Sequence, residues 1–320
     1  MSLNGCGSEL GALNAYPTAD GSFSLHSEHF GEAFHNAAGA LNEARVKFVK
    51  PAQLERFQNQ QCIIVLDVCL GLGYNSAAVM DALPMPGPNV NWWGLELDQR
   101  PLKQALAQNS FRHHWSQPVL QRLDAINEQG GWCDAHSSGQ VLWGDARNKL
   151  NAISKQTKFD LILQDPFSPQ RCPELWSEEF LANLASRLAA EGRLLTYSRS
   201  AAVRASLKRA GLALHSLLPA PGERVGWSSG TMATPQGSGC PDHGPGWRPF
   251  SAMEQEHLRT RAAVPFRDPD QTDTGPSILE RRRQEQTTCT FEATNGWQRR
   301  WKQATMNQPI HQTDLNAKKP

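Results

Sequence analysis

Between residues 62 and 217, short apolar runs rich in branched residues alternate with stretches whose apolar positions recur every three or four residues. The runs predict strands at 62–68, 90–97, 140–143, 159–164, 193–197 and 212–217. The intervening patterns predict helices at 74–83, 100–109, 146–153, 177–190 and 201–210, with Gly192 and Gly211 as stops. Strands and helices alternating at this spacing imply parallel βαβ units, and so an α/β fold with a Rossmann-like, mostly parallel sheet. Segments 212–217 and 230–234 have no helical pattern between them and read as an antiparallel hairpin closing that sheet.

The flanks read differently. Residues 1–22 are rich in Gly, Asn and Ser and are expected to be disordered. From 23 to 57 the pattern suggests a strand or loop, then one or two short helices feeding the first core strand. One folded domain is expected over 23–235, and after it a Gly/Pro-rich linker at 236–249. Residues 236–320 as a whole read as linker and weakly structured tail, with helices at 251–262 and 277–286. From Arg281 onward the chain carries eight basic residues against three acidic ones. Trp297 and Trp301 stand beside Arg299 and Arg300, a pairing that can grip an RNA backbone and stack on bases.

Composition narrows the function. The 32 Lys and Arg nearly balance 31 Asp and Glu, so net charge does not announce nucleic acid. Seven cysteines form no CxxC pair and their number is odd, which points to neither a zinc site nor a disulfide framework. With no signal segment and no apolar run of membrane length, a cytoplasmic, soluble protein is expected. His29 and His35, and the adjacent His113 and His114, lack the spacing of a metal site, so no metal is expected. Ser198 and Ser228 lack a nucleophile-elbow context.

The sequence from Asp67 to Gly73 (DVCLGLG) ends the first core strand with an acid, then alternates small residues with leucine. Glycine there allows a sharp turn and close approach of a ligand to the backbone. The spacing fails GxGxxG and no P-loop is present, so phosphate cradling is not expected. Glu96 ends the second strand, where a carboxylate can accept both hydrogen bonds of a ribose diol. Asp145, after the third strand, can accept from an exocyclic adenine amine, or cap a helix, or do both. A turn for the amino acid, an acid for the ribose and an acid for the base describe S-adenosylmethionine; a plain strand-to-helix turn is the alternative.

At the end of the fourth strand stands Asp165-Pro166-Phe167-Ser168-Pro169. Two prolines stiffen the loop. An alkyl amine is mostly protonated near neutrality (pKa ~10), so its methylation calls for a carboxylate to take the proton. Asp165 is placed for that task, and Phe167 can cover a positive centre by cation–π contact. The alternative is a turn in which Asp165 bonds local amides. Trp176 is expected to pack the next helix and to floor the pocket.

With these residues in view, the chain resembles the methyltransferase of 5-methylaminomethyl-2-thiouridine biosynthesis in tRNA. This is the methylating half of bifunctional MnmC and its free-standing MnmD-type relatives. The resemblance runs from about Phe23 to Thr234 and rests on GALNEAR (39–45), LDVCLGLGYN (66–75), GLELDQRPL (94–102), GDAR (144–147), QDPFSPQRCPELW (164–176), TYSRSAAVRASLKRAG (196–211) and GERVGWSSGTMA (222–233). It implies a class I S-adenosylmethionine-dependent methyltransferase acting on the amine of 5-aminomethyl(-2-thio)uridine at the wobble position, with tRNA as partner. Asp67, Gly71, Gly73, Glu96 and Asp145 would bind S-adenosylmethionine, with Cys69 and Asn75 in the same loop and Glu43 near the cofactor. Asp165 would meet the acceptor amine beside Phe167. Three departures stand out. Cys69 replaces the first glycine of the class I loop. Gly222-Glu223-Arg224-Val225 stands where the family carries a more basic segment. No second dinucleotide motif follows Thr234, so no flavin oxidoreductase domain is expected in this chain.

Two other functions compete. An aminopropyltransferase of polyamine synthesis would share the fold, the acid after the second strand and an Asp at the fourth. Arg171, close after Asp165, suits a polycationic substrate poorly. A non-catalytic RNA-binding protein would be consistent with Cys69, but not with an intact Asp165–Phe167 pair.

Overall fold

A computed structural model describes residues 10–219 and 228–306. Three short strands, β1 (Leu13–Tyr16), β2 (Ser24–Ser27) and β3 (Glu32–Ala33), form an antiparallel sheet of their own. The nine-stranded central sheet contains β4 (Cys62–Val68), β5 (Asn89–Glu96), β6 (Gly131–Cys133), β7 (Ser138–Trp143) and β8 (Phe159–Gln164). It is completed by β9 (Leu188–Thr196), β10 (Leu212–Leu217), β11 (Gly230–Pro235) and β12 (Trp247–Pro249). Their spatial order is β12-β10-β11-β9-β8-β4-β5-β7-β6. The run β9-β8-β4-β5-β7 is parallel; β11 lies antiparallel between β9 and β10, the expected closing hairpin.

Burial on both faces explains why these strands read as continuous apolar runs. In β4, Ile63 and Val65 enter one core, with Phe48, Phe57, Trp92 and Leu123. Leu66 and Val68 enter the other, with Ile162, Phe180, Leu184 and Val203. The strand order reverses between β4 and β8, so their carboxyl ends open a crevice at the switch point.

Several expectations need correction. The described part of segment 1–22 is ordered. β1 pairs with β2, and the Ser22 side chain donates to Asp20 and accepts from the Ala40 amide. The region after 235 is packed rather than weakly structured. β12 extends the central sheet, a helix at Ala252–His257 starts with a capping box, and Phe266 and Ile278 enter the second core. Polar anchors replace the missing apolar periodicity: Arg282 donates to the carbonyls of Val264 and Ala262, and Arg281 to that of Arg267. The helix expected at 251–262 ends at His257, and helices at Gly275–Thr288 and Thr294–Met306 follow. The helix Gln117–Gln129 was missed, although its signals are present. Val119, Leu120, Leu123 and Ile126 share its buried face, Pro118 lies in its first turn, and Gly130 caps it with φ 79°.

Among the described residues, no helix is long and apolar enough to cross a membrane. No described group of His, Cys, Asp or Glu is arranged to hold a metal ion. The segment Gly222–Val225, read as a departure from the basic pattern, lies outside the described residues, as do Cys6 and the last lysines.

Candidate active site

A cavity of about 810 Å³ opens at the carboxyl ends of β4, β5, β7 and β8, walled on the far side by residues from the N-terminal sheet and the helix after it. Its size lies in the upper part of the usual range for small-molecule sites. Of the residues singled out in the sequence, Glu43, Cys69, Gly71, Glu96, Asp145, Asp165 and Phe167 line it. Asp67, Gly73 and Asn75 do not; they stand behind the wall.

The loop after β4 explains the alternating small residues. Cys69, Gly71 and Gly73 have φ values of 69°, 55° and 91°, three left-handed residues alternating with leucines. Glycine tolerates that conformation; a Cys side chain there is strained. Gly73 caps the helix Tyr74–Asp81, and a Cβ on it would come within 3.1 Å of Leu102. Asp67 points beneath the loop, fully buried, and accepts 2.5 Å from the Ser76 hydroxyl, which itself accepts from the Trp92 indole. Burial pushes its carboxyl up to about 7, and one of its oxygens has no hydrogen-bond partner. Asp67 therefore supports the loop rather than facing the cavity.

Glu96 is fixed by backbone amides. Its Oε2 accepts from Gly71 at 2.7 Å; its Oε1 accepts from Leu97 at 2.7 Å and Asp98 at 2.9 Å. Burial raises its pKa and these amides pull it back. The loop after β4 and the acid that ends β5 are thus one hydrogen-bonded unit. Asp145 caps the helix Ala146–Leu150 by accepting from the Arg147 amide at 2.9 Å, and its carboxylate is also paired with the Arg147 side chain at 2.7 Å.

Across the switch point, the Asp165 amide donates to Val68, and Asn75 Nδ2 donates to Asp165 Oδ2 at 2.7 Å. Burial, then the nearby charge of Glu43, pushes the Asp165 carboxyl well above the ordinary carboxylate range. Glu43 pairs with Lys47 at 2.6 Å one helical turn on. The backbone of the Asp-Pro-Phe loop is held by side chains: Tyr197 donates to the Pro166 carbonyl at 2.9 Å, and Trp176 to that of Phe167 at 2.7 Å. Trp176 is fully buried and is absent from the cavity wall, so it clamps the loop instead of flooring the pocket. Phe167 stacks on Phe30 (centroids 4.3 Å) and meets Phe34 edge-on at 4.9 Å. Sequence reasoning missed these two aromatics, although their spacing in His29–Phe34 (HFGEAF) was a usable signal. It also missed Lys47, Arg147 and Tyr197, whose polar contacts leave no periodic trace.

The donor set fits S-adenosylmethionine. Glu96, a carboxylate fixed by three amides, lines the same cavity as the turn residues Cys69 and Gly71, the apolar side chains of Leu97 and Pro101, and Asp145.

Comparisons agree. Residues 109–228 match the family model described as S-adenosyl-L-methionine-dependent methyltransferase. The crystal structure of MNMC2 from Aquifex aeolicus superimposes with a TM-score of 0.72 at 28% identity, covering 88% of this chain and 87% of that one. The chain is an S-adenosylmethionine-dependent methyltransferase, similar to the MnmC type.

Its similarity to curated proteins points the same way. The bifunctional MnmC protein of tRNA 5-methylaminomethyl-2-thiouridine biosynthesis from Azoarcus sp. (strain BH72) is 29% identical over 203 residues, 58% of this chain and 31% of that protein. An uncharacterized protein of Methanocaldococcus jannaschii is 29% identical over 199 residues, 62% of this chain and 53% of the other. The chain spans between about a third and a half of the length of these relatives.

Proposed function

We propose that this methyltransferase acts in the cytoplasm on tRNA, methylating the primary amine of 5-aminomethyl(-2-thio)uridine at the wobble position to give the 5-methylaminomethyl nucleoside. The observation that carries the reading is Asp165, a carboxylate on the cavity wall at the sheet's switch point, oriented by Asn75 at 2.7 Å. Bound S-adenosylmethionine supplies the electrophilic methyl group.

The residues around it do the rest. An alkylammonium has a pKa of ~10 and no free lone pair. A carboxylate held well above its ordinary pKa is a stronger proton acceptor than a free one, and the substrate's own ammonium, once beside it, favours the ionised form. Phe30, Phe34 and Phe167 exclude water from the amine and present aromatic surface to its charge. Glu43 adds a second negative group facing the same space.

The test is to incubate the protein with S-adenosylmethionine and tRNA carrying 5-aminomethyluridine derivatives, then weigh the digested nucleosides. A gain of one methyl on the aminomethyl nucleoside, absent with Asp165→Ala, supports the reading. An unchanged nucleoside, in a preparation that binds the cofactor, removes this substrate while leaving the methyltransferase.

A further inference from the structure

The region after residue 235 touches the cavity wall at Arg147. Arg147, on the cavity wall, divides its guanidinium between two carboxylates. Its Nη2 donates to Asp145 at 2.7 Å and its Nε to both Asp145 oxygens at 3.1 Å. Its Nη1 donates to Asp268 Oδ2 at 2.6 Å and to the Asp273 carbonyl at 2.9 Å. The Asp268 side chain is 0% exposed, and its other oxygen accepts from the amides of Thr272 and Asp273. Its own amide donates to Glu179, so the carboxylate is anchored at both ends.

This arrangement controls how much of Asp145 is left for a ligand. A guanidinium shared with a second, fully buried carboxylate is already charge-balanced and held in one place. Without Asp268 its whole charge falls on Asp145, competing for the lone pairs that an incoming amine must use. Burial opposes the charge on Arg147, yet the two carboxylates outweigh it and hold its pKa above the usual value.

We propose that Asp268 is a positioning residue for the base end of the cofactor, acting through Arg147 to present the Asp145 carboxylate to the adenine amine. The proposal rests on the reading of Asp145 as the adenine acceptor. It makes the segment after the closing hairpin a working part of the methyltransferase site.

Titration calorimetry on the full chain tests it, with S-adenosylhomocysteine and with its analogue carrying purine in place of adenine, which lacks the 6-amine. Asp268→Asn is expected to weaken S-adenosylhomocysteine binding roughly tenfold while leaving the purine analogue unaffected, the scale of one charge-assisted hydrogen bond. Arg147→Lys, which keeps the charge but cannot bridge, should discriminate in the same way and serves if the first variant does not fold. Arg267→Gln removes another anchor of the segment, the 2.7 Å pair with Glu179. It should lower the melting temperature without moving either affinity. Equal weakening for both ligands would make Asp268 merely structural and overturn the proposal, as would unchanged binding of both. Failure of the native chain to bind S-adenosylhomocysteine at all would instead overturn the cofactor assignment beneath it.

Discussion

Asn75 and Asp165, 90 residues apart in the chain, are joined by a 2.7 Å hydrogen bond across the switch point of the sheet. The bond ties the first turn of the helix after the β4 loop to the carboxylate of the Asp-Pro-Phe loop. It also opposes the burial and charge that raise Asp165. Replacing Asn75 with Ala should lower kcat by roughly tenfold, the worth of one hydrogen bond to a charged group, with little change in cofactor affinity. Because Asp165 must be ionised to take a proton, the acid limb of the kcat/KM profile should move to higher pH. Steady-state rates across pH check both effects; an unmoved limb would show that Asp165 is not the titrating base.

Glu96 gathers the amides of Gly71, Leu97 and Asp98 on its two oxygens. Glu96→Ala strands three buried or half-buried donors, so stability should fall by about 2–4 kcal/mol along with cofactor binding. Glu96→Gln keeps one acceptor oxygen, which makes it the informative variant. The fold should largely survive, while affinity for S-adenosylhomocysteine drops roughly tenfold or more through loss of the anionic acceptor. Melting curves and titration together separate the two losses.

Asp67 gives a pH signature of stability. Its carboxyl lies at about 7 in the fold, against an ordinary value of 3.8. The folded chain keeps this proton longer than the unfolded chain does. Between 3.8 and about 7 the unfolded state binds fewer protons, so stability falls as pH rises, and above about 7 the slope from this group ends. Asp67→Asn removes the titration. The stability of the variant relative to the native protein should grow across that window and then level off, in denaturation midpoints taken from about pH 4 to pH 8.5. A constant difference across the range would mean that Asp67 does not titrate there.

What could be read in advance follows from which forces leave a pattern. Strands β4, β8 and β10 coincide residue for residue with the apolar runs at 62–68, 159–164 and 212–217, because burial on both faces demands unbroken branched residues. The carboxylates at the strand ends were legible for a similar reason, since topology alone sends Glu96, Asp145 and Asp165 to one edge. The fine division between wall and support was not legible. Asp67 and Glu96 both end strands beside the same loop, and only the three-dimensional turn puts one below it and the other on the cavity. Least legible was the segment after 235. Its long helix Gly275–Thr288 buries only Ile278, and arginines donating to carbonyls, together with the Arg147–Asp268 pair, add polar fastening to the few apolar anchors such as Phe266.

Cys69 raised the question of whether this protein has lost turnover, since a glycine is usual at that place. With φ 69°, the residue keeps the backbone conformation a glycine would adopt and accepts the strain of a side chain. Its thiol lines the cavity, yet burial pushes its pKa well up, which leaves it neutral and unreactive. Cys69→Gly should therefore retain methyl transfer and change stability by less than about 1 kcal/mol, relief of strain offsetting the added freedom of the unfolded chain. Cys69→Val should cost about 2 kcal/mol or more, because a branched side chain is least tolerated at positive φ. Iodoacetamide should label the exposed Cys62 and Cys133 well before Cys69. Melting temperatures, product mass and peptide mapping check the three statements. A dead Cys69→Gly variant would instead give the thiol a direct part in the reaction.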